Sequence, residues 1–258
     1  VRDSRYKYIR NFQPQLPWFH SQYISYMYQM PTMRVWQQLA DAGELKGPTA
    51  VFMAKSKPTE ELYDTQADPH EVNNLADSPE HQQVLARLRQ ASRDWMLEIV
   101  DLGLLPEPDL RTRYGSEAPY NAVREEPASY PIERILETAL LAGDRKPANV
   151  GELTSRLSDK DPAIRYWAAM GLGMLGEQAA GSADQLAGAL KDKSAPVRVA
   201  AADPLLRMDR DQQALPVLAA ALQESNEWTQ LMAANVLDRI GSRAEPVADS
   251  LRGAQQGA

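Results

Sequence analysis

Residues 61–76, "ELYDTQADPHEVNNLA", bring Glu61, Asp64, Asp68, His70 and Glu71 into a few turns of chain. Carboxylates and an imidazole at this density could hold a divalent cation or move protons, because both tasks need several such groups converging on one point. A zinc-type site takes three or four ligands. The chain has only three histidines, at 20, 70 and 81, and none shows an H-x-x-x-H or H-x-x-E-H spacing. Asp68-Pro69-His70-Glu71 instead has the layout of a helix start. Asp68 takes the cap position, Pro69 the first helical position and Glu71 the third, a capping box whose carboxylates favour the positive helix end. Asn73-Asn74 suits the turn that follows, with Leu75 tucking back into a core. The stretch is expected to be a structural joint with a solvated His70.

Two other runs match chemical motifs. "GLGMLG" (171–176) satisfies G-x-G-x-x-G, but no strand precedes it, as phosphate binding by this motif requires. "SAPVR" (194–198) satisfies Ser-x-Pro-x-Arg, a nucleophile pattern. Both runs fall inside the internal repeats described below and are expected to be helix ends. The candidate for substrate contact is "LPWFHSQYISYMYQMP" (16–31). It crowds Trp18, His20 and Tyr23 among further aromatic residues with almost no charge. Such rings could stack on a sugar or aryl group while His20 bonds a polar oxygen. The same rings would equally cover a sheet edge or bury against another domain, since so apolar a patch seldom stays exposed.

Composition bounds these readings. At 258 residues the chain is long enough for two domains. The net charge of −7 argues against nucleic acid or an anionic membrane as partner, and no apolar run reaches membrane-span length. The absence of cysteine excludes thiol chemistry. The opening Val1-Arg2-Asp3, without an initiator Met or signal-like segment, reads as a fragment.

Residues 1–103 mix helix and strand periods. "RYKYIRNF" (5–12), "TAVFMA" (49–54) and "ELYD" (61–64) read as strands. Residues 32–43 read as a helix capped by Thr32 and ended by Gly43. Residues 78–100 form the strongest helix, with Ser78 as cap and Pro79 first. Val84, Leu88, Ala91 and Trp95 make its apolar stripe, and Trp95 is expected to anchor it on a small antiparallel sheet. Residues 104–130, with prolines at 106, 108, 119 and 127, read as an irregular linker or ordered strap.

From 131 to 258 the chain repeats. Ala168, Ala201 and Ala233 recur at steps of 33 and 32, as do Leu172, Leu205 and Leu237, and then Leu175, Met208 and Ile240. Preceding helices keep the same steps through Leu153, Leu186 and Leu218, and through Leu157, Leu190 and Leu222. A helix pair this short cannot hide its own apolar face, so the units must stack into an α-solenoid. Residues 130–143 supply the second helix of a leading, degenerate repeat. Pro204 lies inside one repeat helix and is expected to distort it.

The repeats resemble the short HEAT-like class through Pro162/Ile164/Arg165/Ala168/Ala169 and Pro196/Val197/Arg198/Ala201/Ala202. Their step is below the usual 40–47 residues. Residues 1 to about 108 resemble the C-terminal region of bacterial formylglycine-dependent sulfatases. The resemblance runs, in order, through "RYKYIRNF", "MPTMRVWQQLADAGEL", "ELYDTQADPHEVNNLA" and "LEIVDLGLLPE". It implies an α+β subdomain that completes a catalytic domain hydrolysing sulfuric esters, and a periplasmic or secreted setting. It also implies a formylglycine made from Cys or Ser in Cys/Ser-x-Pro-Ser-Arg and a calcium ion held by Asp and Asn, all in an upstream α/β domain. None of those positions carries over to a residue here, so catalytic, metal and cofactor-binding residues are expected to be absent from this chain. The expected partners are the upstream catalytic domain and a protein bound by the repeats. A stand-alone repeat scaffold without catalysis is the alternative.

Overall fold

A computed structural model describes residues 1–18 and 29–256. The chain is mostly helical, with one two-stranded antiparallel sheet, and it separates into two compact units, Val1–Ile99 and Val100–Ala258.

In the first unit, β1 (Tyr6–Arg10) pairs antiparallel with β2 (Glu60–Asp64), Tyr8 facing Leu62. Helix α1 spans Pro31–Asp41 and α2 Pro48–Val51. A turn of 3-10 helix, Pro79–His81, leads into α3 (Gln82–Glu98), which packs on β1. Tyr8, Leu62, Leu85 and Leu88 form the core, with Tyr6, Leu75 and Val84 packed around it.

Several expectations change here. The run 49–54 is not a strand, because Pro48 fixes the first helical φ after Gly47 turns the chain with φ +57°. Phe52 then stacks on Trp36, with ring centroids 5.0 Å apart. Pro31 starts α1 one residue before Thr32, which therefore lies inside the first turn and not at the cap. Ser78 caps no backbone amide; its hydroxyl meets His81 Nδ1 at 2.8 Å. The buried face of α3 is Leu85, Leu88 and Met96, rotated from the expected stripe, and Trp95 is 52% exposed. Trp95 is no anchor. Leu85 and Leu88 pack with Tyr8 and Leu62 of the two strands. Asp68-Pro69-His70-Glu71 forms no helix. Glu71 takes a left-handed conformation, φ +53°, which stops the turn at once.

The second unit is all helix. Residues 104–130, expected to be irregular, hold α4 (Glu107–Tyr114) and α5 (Pro119–Glu125). Pro108 and Pro119 lie in the first turns of these helices, where a missing N–H costs nothing. The repeats follow as α6 (Ile132–Gly143), α7 (Val150–Arg156), α8 (Pro162–Leu175), α9 (Ala183–Ala189), α10 (Ala195–Arg207), α11 (Asp211–Ala221), α12 (Glu227–Ile240) and α13 (Ala248–Gln256). Helices α6, α8, α10 and α12 stack in one layer, with α7, α9 and α11 packed behind them. The aligned residues Ala168, Ala201, Ala233, Leu153, Leu186 and Leu218 are all fully buried.

Small residues set the spacing of that layer. A β-carbon on Gly171 would meet Ala142 Cβ at 2.8 Å and Leu153 Cδ1 at 2.9 Å, so α6 and α8 touch through a position that only glycine fits. Gly176 and Gly241, both with φ +57°, end α8 and α12. "GLGMLG" is thus a packing notch followed by a helix stop. Pro204 is buried three residues before α10 ends, its ring 3.5 Å from where a β-carbon on Gly173 would sit. The helix continues through it, and the stacking is built around the ring.

Two mutational contrasts follow. Gly171→Val should lose about 2 kcal/mol or more by overpacking, whereas Gly173→Ala, with ordinary contact room, should be neutral or gain up to about 1 kcal/mol of helix propensity. Leu88→Ala should cost about 2–5 kcal/mol, against less than about 1 kcal/mol for Trp95→Ala. Denaturant titrations of the four variants measure both contrasts.

Candidate functional site

The polar stretch at 61–76 is built from the inside of the sheet outward. Glu61 is buried on β2, with Oε1 accepting from Asn11 Nδ2 at 2.6 Å and Oε2 from the Tyr63 hydroxyl at 2.6 Å. Burial, reinforced by that carboxylate, pushes the Tyr63 hydroxyl's pKa up. Arg5 donates to Asp64 Oδ2 through Nε at 2.8 Å and Nη2 at 2.6 Å. This pairing holds the Asp64 carboxyl down at about 2. Asp68 Oδ2 accepts from the Val72 and Asn73 amides, both at 2.8 Å, and so closes a turn where a helix was expected. Glu71 pairs with Lys7 at 2.5 Å, and His70 is exposed.

Asn74 completes the joint. Its Oδ1 accepts from Leu62 N (2.9 Å) and Ala76 N (3.0 Å), and its Nδ2 donates to Glu60 O (3.1 Å). With Leu75 N donating to Leu62 O at 2.7 Å, residues 74–76 cover the outer edge of β2. The carboxylates point to separate partners, and among the described residues no group of His, Asp and Glu is placed to hold a metal ion. The stretch is an edge cover that binds chain to chain. The Ser78–His81 contact is likewise local, closing the turn into α3.

Of the three candidate substrate-contact residues, Trp18 is partly buried and lies beneath Lys57, whose Nζ is 5.6 Å from the ring centroid. His20 and Tyr23 lie outside the described residues.

The second unit holds a connected set of charges that the sequence reading only half caught. Arg165 donates to Asp159 O (2.8 Å) and Lys160 O (3.1 Å), and reaches the Asp192 carboxylate of the next turn with Nε at 2.6 Å and Nη2 at 2.7 Å. Arg198 repeats the pattern, donating to Asp192 O and Lys193 O and pairing with Glu224. In the third unit Gln230 stands in the same register and donates to Glu224 O at 2.6 Å. The signal was available, because Asp159, Asp192 and Glu224 recur at the same steps of 33 and 32 as the leucines. Ser194 immediately precedes α10, its amide held by Asp192, so Ser-x-Pro-x-Arg is the turn of a repeat.

A groove of about 320 Å³ runs along this edge, lined by Asp109, Arg165, Lys193, Ser194, Arg198 and Glu224 among others. Its arginines already have carboxylate partners, and it contains no imidazole. A second cavity of about 260 Å³, between Arg134, Thr138, Arg156 and Asp159, is closed by similar pairs. Neither presents a nucleophile beside a base.

Comparison with known proteins gives two kinds of match. Residues 131–203 match the HEAT repeat model. The chain is 39% identical over 110 residues to an ulvan-active sulfatase of Formosa agariphila, an alignment covering 43% of this chain and 18% of that protein. A second ulvan-active sulfatase of the same organism is 33% identical over 104 residues, covering 37% of this chain and 16% of the relative. The chain thus spans less than a fifth of the length of these curated relatives. No solved structure matches. HEAT repeats are present, and part of the chain is homologous to sulfatases.

The arginine pairing in the first unit sets an acid limit. Asp64, held at about 2 by Arg5, stabilises the fold above the ordinary carboxylate pKa of about 4 and loses that contribution as pH falls through about 2. Asp3 is depressed in the same direction by the Tyr6 amide and Arg87. Melting of the chain between pH 5 and pH 2 should show the first unit weakening steadily, with a shallower slope in Asp64→Asn.

Proposed function

We propose that this chain is the C-terminal part of a sulfuric ester hydrolase. In this reading the unit Val1–Ile99 completes a catalytic domain encoded upstream, and the HEAT repeats add a helical interaction module. The observation that carries it is the 39% identity over 110 residues to an ulvan-active sulfatase. Within that unit Glu61, Asp64 and Asn74 serve the fold.

The formylglycine and calcium of such a hydrolase would belong to the upstream part. The residues described here do not fit either group. The chain has no cysteine, and its Ser-x-Pro-x-Arg serine sits in a repeat turn. Trp18, with His20 and Tyr23, is the proposed region of substrate contact within this chain.

The isolated chain should therefore not hydrolyse an aryl sulfate even at high protein concentration. Turnover abolished by Ser194→Ala would overturn the repeat-turn reading of that serine. The upstream genomic sequence tests the larger proposal. An in-frame Cys/Ser-x-Pro-Ser-Arg is expected, and an open reading frame lacking it would leave a stand-alone scaffold instead.

A further inference from the structure

The stacked layer α6–α8–α10–α12 has one side against α7, α9 and α11, and its other side is the surface on which such an array would seat a partner. Residues 101–114 lie on that other side. The 3-10 turn Leu102–Leu104 packs on α6, and α4 packs on α10 and α12. Between them the Trp167 indole of α8 donates to the Leu104 carbonyl at 2.8 Å, a buried bond.

The contacts have the form of a recognition site. Leu104 and Leu105 are 3% and 5% exposed, and Pro106, Pro108 and Asp109 are buried with them. Tyr130 donates its hydroxyl to Asp101 O at 2.6 Å, fixing the start of the segment. Arg113 fixes its end, reaching Asp161 through Nη1 (3.1 Å) and Nη2 (2.7 Å), Asp109 through Nε (3.0 Å) and the Ser129 carbonyl at 3.0 Å. Apolar anchors sit in the middle, with an oriented backbone bond and a bidentate charge pair at the rim. These are the features that give an interface its affinity.

We propose that this face of the HEAT array is a peptide-binding groove whose ligand is the chain's own segment 101–114. The recognised chemistry is a 3-10 turn ending at Leu104, an extended Leu105-Pro106 pair and the helix α4, which presents Arg113. The segment is joined to α6 through α5 in the same chain, so it occupies the groove intramolecularly and competes with any free peptide at a high effective concentration. A free partner of the same chemistry must displace it. An interaction with another protein through the repeats then belongs to the layer α7–α9–α11, not to this groove.

Two measurements on the full chain test this. Hydrogen exchange should show the Leu105, Leu110 and Gly115 amides, which donate to Leu102, Pro106 and Arg111 carbonyls, as slow as those of α8 and α10. Trp167→Phe keeps a ring but removes the donor, and should speed these three amides about tenfold while leaving α6 unchanged. Exchange a hundredfold faster than α8 and α10 in the unmodified chain would overturn the proposal. The second measurement uses a fluorescent peptide of residues 100–115. It should bind the full-length double variant Leu104→Asp/Leu105→Asp at millimolar concentration or below, and not the unmodified chain. Peptide binding to the unmodified chain, or none to a double variant that keeps its helical circular dichroism, would overturn it. If the double variant unfolds, the exchange rates of the unmodified chain decide alone.

Discussion

A buried indole N–H usually finds an acceptor, because water cannot reach it and an unmade bond costs about 1–3 kcal/mol. Trp167 is 3% exposed, and its acceptor is the carbonyl of Leu104, 63 residues earlier in the chain. That bond ties the helical layer to the segment that covers it, and much of the second unit follows from the tie. Leu104 and Leu105 fill the space beside the ring, and Tyr130 and Arg113 secure the two ends. The small residues at Gly171 and Ala142 bring α6 close enough to share the same cover. An array of bare repeats would leave this apolar surface open at its inner face; here the chain supplies the lid.

The first unit solves a smaller version of the same problem. Two strands alone are marginal in water, with open edges that invite pairing. Residues 74–76 cover the outer edge of β2, and residues 1–3 bond to β1 through Tyr8 N to Val1 O and Asp3 N to Tyr6 O. Glu60 binds the sheet to α3, accepting from the Tyr8 hydroxyl and from both ends of the Arg89 fork. Burial raises the cost of that carboxylate, and Arg89 with Tyr8 more than offsets it, leaving its pKa lowered. The density of acidic residues that suggested chemistry is the density that a thin sheet needs to hold its margins.

The legible parts of the sequence were those in which one residue type recurs at a fixed interval. The leucine and alanine registers of the repeats placed α7 to α12 with their buried faces, because stacking rewards the same side chain at the same position in every unit. The polar stretch was legible as a joint, although its turn was misread as a helix. Misreadings fell where a single proline or a single bulky ring decided the outcome. Pro108 and Pro119 start helices where a linker was expected, Pro48 turns a strand candidate into α2, and Trp95 misled the stripe of α3 by about one position. The segment 101–114 had no periodic signal, since its conformation is set by the surface it lies on. Of the proposed substrate-contact residues, only Trp18 lies among the described residues, and nothing in the sequence distinguishes a stacking ring from a packing one.

The rungs of charge that stitch the repeats are not equally sheltered. Arg113 and Asp161 are 13% and 9% exposed, Arg165 and Asp192 15% and 10%, Arg198 and Glu224 24% and 32%, and Arg243 and Asp211 41% and 29%. Dissolved ions screen open pairs far more than closed ones. Added salt therefore weakens the Arg243–Asp211 pair more than the Arg113–Asp161 pair that holds the covering segment.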